Sequence, residues 1–183
     1  NNAFSSCSSL LNIKLNEGLE SIGNYVFASC TALEKVDFPD SLKSIGYSTF
    51  SYCTSLDSVR FPDTLESFYF ANNFENCSSL RSVDINTISA SGFASSIFSS
   101  CYSLSHVSIN KVTSLDTYAF YRCFSLKRLT IPETVTSIGS AALSGLSDLE
   151  ELKFEGSTPP SMYSTGSYSN LPTTCKILVP AGS

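Results

Sequence analysis

The sequence predicts a solenoid of short parallel strands, one strand for each coil of about 23 residues, and three observations predict it. A cysteine recurs at Cys7, Cys30, Cys53, Cys77, Cys101 and Cys123, with spacings of 23, 23, 24, 24 and 22 residues. A Phe stands three residues before each of them (Phe4, Phe27, Phe50, Phe74, Phe98, Phe120) and a Leu three residues after (Leu10, Leu33, Leu56, Leu80, Leu104, Leu126). An alternating apolar pair follows: Ile13/Leu15, Val36/Phe38, Val59/Phe61, Val83/Ile85, Val107/Ile109 and Leu129/Ile131. A unit this short cannot bury its own apolar face, whereas stacked copies cover one another.

Each part of the unit has its own reason. The alternating pair has the period of a half-buried strand, with the Ile, Val or Leu pointing inward. Equivalent strands in successive coils then run parallel, about 4.8 Å apart. A second apolar pair closes the unit on the opposite wall: Leu19/Ile22, Leu42/Ile45, Leu65/Phe68, Val112/Leu115 and Val135/Ile138. Unit four writes this pair loosely, as Ile88 and Phe93 within a Ser-rich insertion. Gly23, Gly46 and Gly139 follow the pair, where a tight corner is expected to need positive φ. The Phe then turns into the core and stacks on its equivalents. Leu143, Leu146, Leu149, Leu152 and Phe154 write a seventh unit, and Tyr168, Leu171, Thr174, Ile177 and Val179 a degraded eighth. Residues 1–154 are read as the solenoid, and 155–183 as a degenerate last repeat and partial cap of the same domain. The segment from Ser157 to Thr173 reads as a loop before the last strand. The pattern is already running at Asn1, so the chain reads as a piece of something longer.

Phrases such as CTSLDSVRFPDTLESF and CFSLKRLTIPETVTSIGSAAL, with a closing T-P-P and I-x-V-P, resemble the leucine-rich-repeat proteins of the BspA type. The resemblance runs over essentially the whole chain. It implies a right-handed leucine-rich-repeat solenoid of seven to eight coils with few or no long helices. It also implies a secreted or cell-surface setting and adhesion to proteins. The departures are the irregular fourth unit and the loss of the column Cys at Leu146 and Leu171.

Composition narrows the function classes. The chain is 42% hydrophobic and 15% charged, with a net charge of −5. A basic surface for nucleic acid is therefore not expected. No apolar run is long enough for a membrane-spanning helix, so membrane insertion by this segment is not expected either. One His and scattered carboxylates give no metal-ligand cluster, and no cofactor is implied. The 37 serines and low charge fit an extracellular or cell-surface protein. The column cysteines point the same way into the core, so they are expected to be buried free thiols rather than disulfides. Cys175, outside the column, is expected to be a free exposed thiol.

The residues flanking each inward strand position face solvent and form a polar wall. The candidate binding residues on it are Lys35, Asp37, Ser58, Arg60, Ser82, Asp84, His106, Ser108, Arg128 and Thr130. Lys14, Asp37, Arg60 and Asp84 alternate in sign along one column, so neighbouring strands can pair their charges. Tyr25, Tyr47, Tyr52, Tyr102, Tyr118 and Tyr121 gather at the Phe corners, where they pack the outside of each coil. The expected function is a non-enzymatic module that binds a host or cell-surface protein or a glycan. The alternative is a passive spacer within a larger surface protein. A hydrolase built on His106 is the remote third reading, because a flat strand ladder offers no cleft or oxyanion hole. The apolar ends of such a stack also make weak end-to-end self-association an expectation.

Overall fold

The computed structural model describes residues 1–69, 71–85 and 94–180. Ile88 and Phe93 lie outside the described residues. The chain winds as a parallel β-solenoid of about seven turns, nearly without helix. Its single helical element among the described residues is one turn of 3-10 helix, Thr165–Tyr168.

One wall carries the longer strands: Asn12–Lys14, Lys35–Asp37, Ser58–Arg60, Ser82–Asp84, His106–Ser108, Arg128–Ile131, Glu151–Phe154 and Lys176–Leu178. All the pairings between them are parallel and keep the sequence columns in register, as in Ser58↔Ser82↔His106 and Arg128↔Glu151↔Lys176. The inward positions Val36, Val59, Val83, Leu129 and Leu152 are buried, while their neighbours on the outer face are not. In the last coil Ile177 is 60% exposed, because no further coil covers it in this structure.

The opposite wall is made of two-residue strands. Ser21–Ile22, Ser44–Ile45 and Ser67–Phe68 form one sheet; Ser114–Leu115, Ser137–Ile138 and Ser161–Met162 form another. Ser161–Met162 falls in the segment expected to be only a loop, and continues this wall by one rung.

A third face has no strands but is equally bonded. In each coil the Phe and the residues two before and two after it send their N–H groups to the following coil. Tyr25 donates to Tyr47, Phe27 to Thr49 and Ser29 to Ser51, at 2.8–3.1 Å. The two flanking residues are left-handed in coil after coil: Tyr25 and Ser29, Ser48 and Tyr52, Asn72 and Asn76, Ser96 and Ser100, Tyr118 and Arg122. A non-glycine residue held there costs about 1–2 kcal/mol. The inter-coil bonds and the burial of the Phe between them offset that cost.

Those rings form the spine. Phe4, Phe27, Phe50, Phe74, Phe98 and Phe120 stack with centroids 5.3–5.7 Å apart and planes within 21°. From Phe27 to Phe120 each is fully buried. The cysteine column beside them is more than small apolar filling. Cys30, Cys53, Cys77, Cys101 and Cys123 each donate the thiol proton to the Phe carbonyl of the preceding coil, at 3.0–3.1 Å. The same carbonyl accepts the N–H of the Cys three residues on in its own coil, as from Cys53 to Phe50 at 3.1 Å. Both lone pairs of a buried oxygen are thus satisfied. Where Leu146 replaces the Cys, only the N–H bond from Cys123 to Phe120 remains possible.

All seven cysteines are free. Two expectations about them change. Cys7 is exposed, because no coil covers its outer side in this structure, and Cys175 is partly buried against the core rather than exposed.

The glycine expectation is also corrected. Positive φ among the glycines occurs at Gly18 and Gly145, not at Gly23, Gly46 or Gly139. The need at those three is space. A Cβ on Gly46 would lie 2.7 Å from the carbonyl carbon of Gly23 and 2.8 Å from the nitrogen of Asn24; on Gly139 it would lie 2.6 Å from the nitrogen of Thr117. The missing side chain lets successive coils close on backbone.

Asn73 is a buried polar group that the repeat did not reveal. It accepts from Thr49 N–H at 2.7 Å and donates to the carbonyls of Gly46 (3.0 Å) and Tyr69. It sits where the period lengthens to 24 residues, and it satisfies backbone groups there.

Three outcomes follow for the core. A thiol reagent at neutral pH should label Cys7 quickly, Cys175 more slowly, and the five buried thiols only on unfolding. Burial raises those five thiols, Cys53 to about 12. Between the ordinary thiol value of 9.0 and about 12, the unfolded chain releases protons that the folded chain keeps. Stability therefore falls as pH rises through that window, by about 1.4 kcal/mol per pH unit for Cys53. Denaturant titrations across it should show a shallower fall for Cys53→Ala. Gly46→Ala should cost about 1–3 kcal/mol in the same measurement through steric overlap, and a neutral result would remove the close-approach explanation.

Candidate functional site

The strand wall is not one sheet. Lys35–Asp37 pairs only with Asn12–Lys14, and Ser58–Arg60 begins a new sheet with Ser82–Asp84 and His106–Ser108. Across this seam the nearest backbone bond is a long one, Asp57 N–H to Glu34 O at 3.5 Å. Just past these strands stand Phe38 and Phe61, consecutive in a column that elsewhere holds Leu15, Ile85, Ile109, Ile131 and Phe154. Their rings meet at 5.6 Å, tilted by 30°, and Phe38 also meets Phe50 edge-on at 6.0 Å. A second seam separates His106–Ser108 from Arg128–Ile131, where the column holds Ile109 and Ile131.

The first seam is a groove of about 640 Å³, lined by Lys35, Asp37, Ser58 and Arg60, with Glu34, Asp40 and Asp57 around them and Phe38, Phe61 and Pro62 beneath. A second groove of about 370 Å³ adjoins it, lined by Ser58, Arg60, Asp63, Ser82 and Asp84. The two share Ser58, Arg60 and Phe61. Six of the ten candidate residues are thereby gathered on adjoining concave surfaces. His106, Ser108, Arg128 and Thr130 continue the wall outside both grooves. Glu34, Asp40, Asp57, Asp63 and the two Phe were missed. Their signal was the repeated Phe-Pro-Asp of Phe38–Asp40 and Phe61–Asp63, which places a carboxylate just past the strand in two successive coils.

Asp37 pairs with Lys35 of its own strand at 2.7 Å, because residues two apart share the outer face. Pairs between coils form just before the strands, at Arg81–Asp57 and Lys127–Glu150, both 3.2 Å. On the far wall Lys43 reaches Glu20 at 2.8 Å and lowers its carboxyl. All these pairs are exposed and contribute little to stability. Of these residues, Lys35, Asp37 and Asp57 line the first groove.

The Tyr corners are partly exposed, as expected. Tyr25 meets Tyr47 edge-on at 5.1 Å, and Arg122 lies over the Tyr121 ring at 5.0 Å. His106 stands exposed beside its register partner Ser82. Among the described residues, no three His, Cys, Asp or Glu side chains are placed to hold a metal ion. Among the same residues, no helix is long and apolar enough to cross a membrane.

Comparison with known proteins bears on the fold. The model of the BspA type leucine rich repeat region matches six copies, over residues 1–86 and 70–170. The chain is similar to a leucine rich repeat protein of T. pallidum, with 29% identity and a TM-score of 0.70, over 81% of this chain and 69% of that one. It also resembles a leucine-rich repeat protein of Bacteroides ovatus, with 24% identity and a TM-score of 0.61, covering 98% of this chain but 47% of that one. A protein of Faecalibacterium prausnitzii described as a leucine rich cell surface protein has 22% identity and a TM-score of 0.51, over 100% of this chain and 62% of that one. A comparison with curated proteins gives no match. With strand columns, Phe spine and thiol ladder in register and the family pattern matched over most of its length, the chain belongs to the BspA type leucine rich repeat family.

Proposed function

We propose that the chain is a non-enzymatic binding module whose strand wall engages a protein or glycan partner at the paired grooves. The observation that carries this reading is the convergence of Lys35, Asp37, Ser58, Arg60, Ser82 and Asp84 on two adjoining concavities where the sheet parts. Recognition surfaces combine concave shape with a few fixed polar groups over apolar ground. Here Phe38, Phe61 and Pro62 supply the ground, and Arg60 lines both grooves. Solenoids use such extended faces for binding. The family supports an extracellular or cell-surface setting and adhesion as the use of that binding. Catalysis at His106 has no such support, because the side chain lies on the flat part of the wall.

The test is to immobilise the chain and screen it against a panel of cell-surface and matrix proteins and a glycan array. The charge-reversing variant Arg60→Glu and the variant Asp84→Ala should fold normally, since both side chains are exposed. Each should weaken capture of the partner by about tenfold or more, as expected for a residue central to an interface. Unchanged capture by both variants would move the contact off this wall. An absence of any partner would favour the spacer reading.

A further inference from the structure

On the opposite wall Tyr163 is 81% exposed and its backbone is bonded into the coil, N–H to Ile138 O at 3.1 Å. It follows the strand Ser161–Met162, so it occupies the column of Gly139 and Asp116. Beside it the structure leaves a recess of about 270 Å³ lined by Ser95, Asp116, Ser137, Gly139 and Ser140. Gly139 adds no side chain to the recess, and its backbone lies close against Thr117 and Asp116. Ser114 donates to Asp116 Oδ1 at 3.1 Å and orients the carboxylate. Ser164 reaches Ser140 Oγ at 3.5 Å on the far rim.

The chemistry of this recess differs from that of the wall grooves. Its described lining has one carboxylate, several hydroxyls that donate and accept, and one aromatic ring at its edge, and among the described residues no cation. We infer that it is a sugar-binding subsite that takes one pyranose ring of a glycan. A pyranose presents a C–H face that packs on an aromatic ring and an edge of hydroxyl groups. Tyr offers such packing area at small entropic cost. A carboxylate accepting from a hydroxyl makes the stronger, charge-assisted kind of hydrogen bond. The serine hydroxyls can serve the remaining sugar oxygens in either sense. The site lies on the face away from the strand wall, so it stands or falls independently of the proposal for Arg60 and Asp84.

The experiment uses the whole chain and four probes: the methyl glycosides of glucose, galactose, mannose and N-acetylglucosamine. Ligand-observed NMR gives binding and calorimetry gives the affinity. At least one probe should bind saturably, with millimolar affinity. Tyr163→Ala and Asp116→Asn should each weaken that binding by about tenfold or more, with unchanged circular dichroism. Arg60→Ala on the strand wall should leave it unchanged. Failure of all four probes to bind saturably in the tens-of-millimolar range overturns the inference. So does binding that survives Tyr163→Ala.

Discussion

Every coil depends on its neighbour for cover, and it depends on it twice. The apolar face of about 23 residues is too small to close on itself, so the Phe, Cys and Leu of one coil are sealed by those of the next. The backbone has the same dependence. Strand, short strand and turn all direct their N–H groups to the adjacent coil, so an isolated coil would leave most of them unpaired. The thiol ladder joins the two requirements. Each Cys Sγ fills apolar space and also completes the hydrogen bonding of a Phe carbonyl in the preceding coil. A residue of similar size without a proton to give would do only the first. A serine could give the proton but would desolvate a more polar group beside the Phe rings.

The same closeness constrains the corners. Gly46 and Gly139 are needed because backbone meets backbone there, and the left-handed pairs flanking each Phe are needed to aim three N–H groups at one neighbour. These requirements explain why small and polar residues mix with large apolar ones inside one short unit. Where the period lengthens, the bonds between coils continue, and the buried amide of Asn73 adds bonds to Thr49 N–H and the Gly46 carbonyl.

Openings on the surface arise where this regularity gives way. Between the coils of Phe38 and Phe61 the strand wall parts into a groove rimmed by charge. At the other wall, Gly139 followed by Tyr163 leaves a recess and then an upright ring. In both places the polar side chains that line the concavity are at least partly exposed.

The sequence alone determined the repeat, the inward columns, the parallel register and the composition of the solvent-facing wall. These depend on local periodicity, and a period of two within a strand and about 23 between strands fixes which side chains are stacked. Lys35, Asp37, Arg60 and Asp84 could therefore be placed on one face from spacing alone. Only the tertiary structure decided that Cys53 donates to Phe27, that Gly46 is a contact rather than a positive-φ residue, and that Asp37 pairs within its strand. It alone located the seams that turn a flat ladder into grooves. Such features depend on how side chains from two coils share a space about 4.8 Å deep. Packing volume and backbone direction settle that, and neither is written in the period of a single strand.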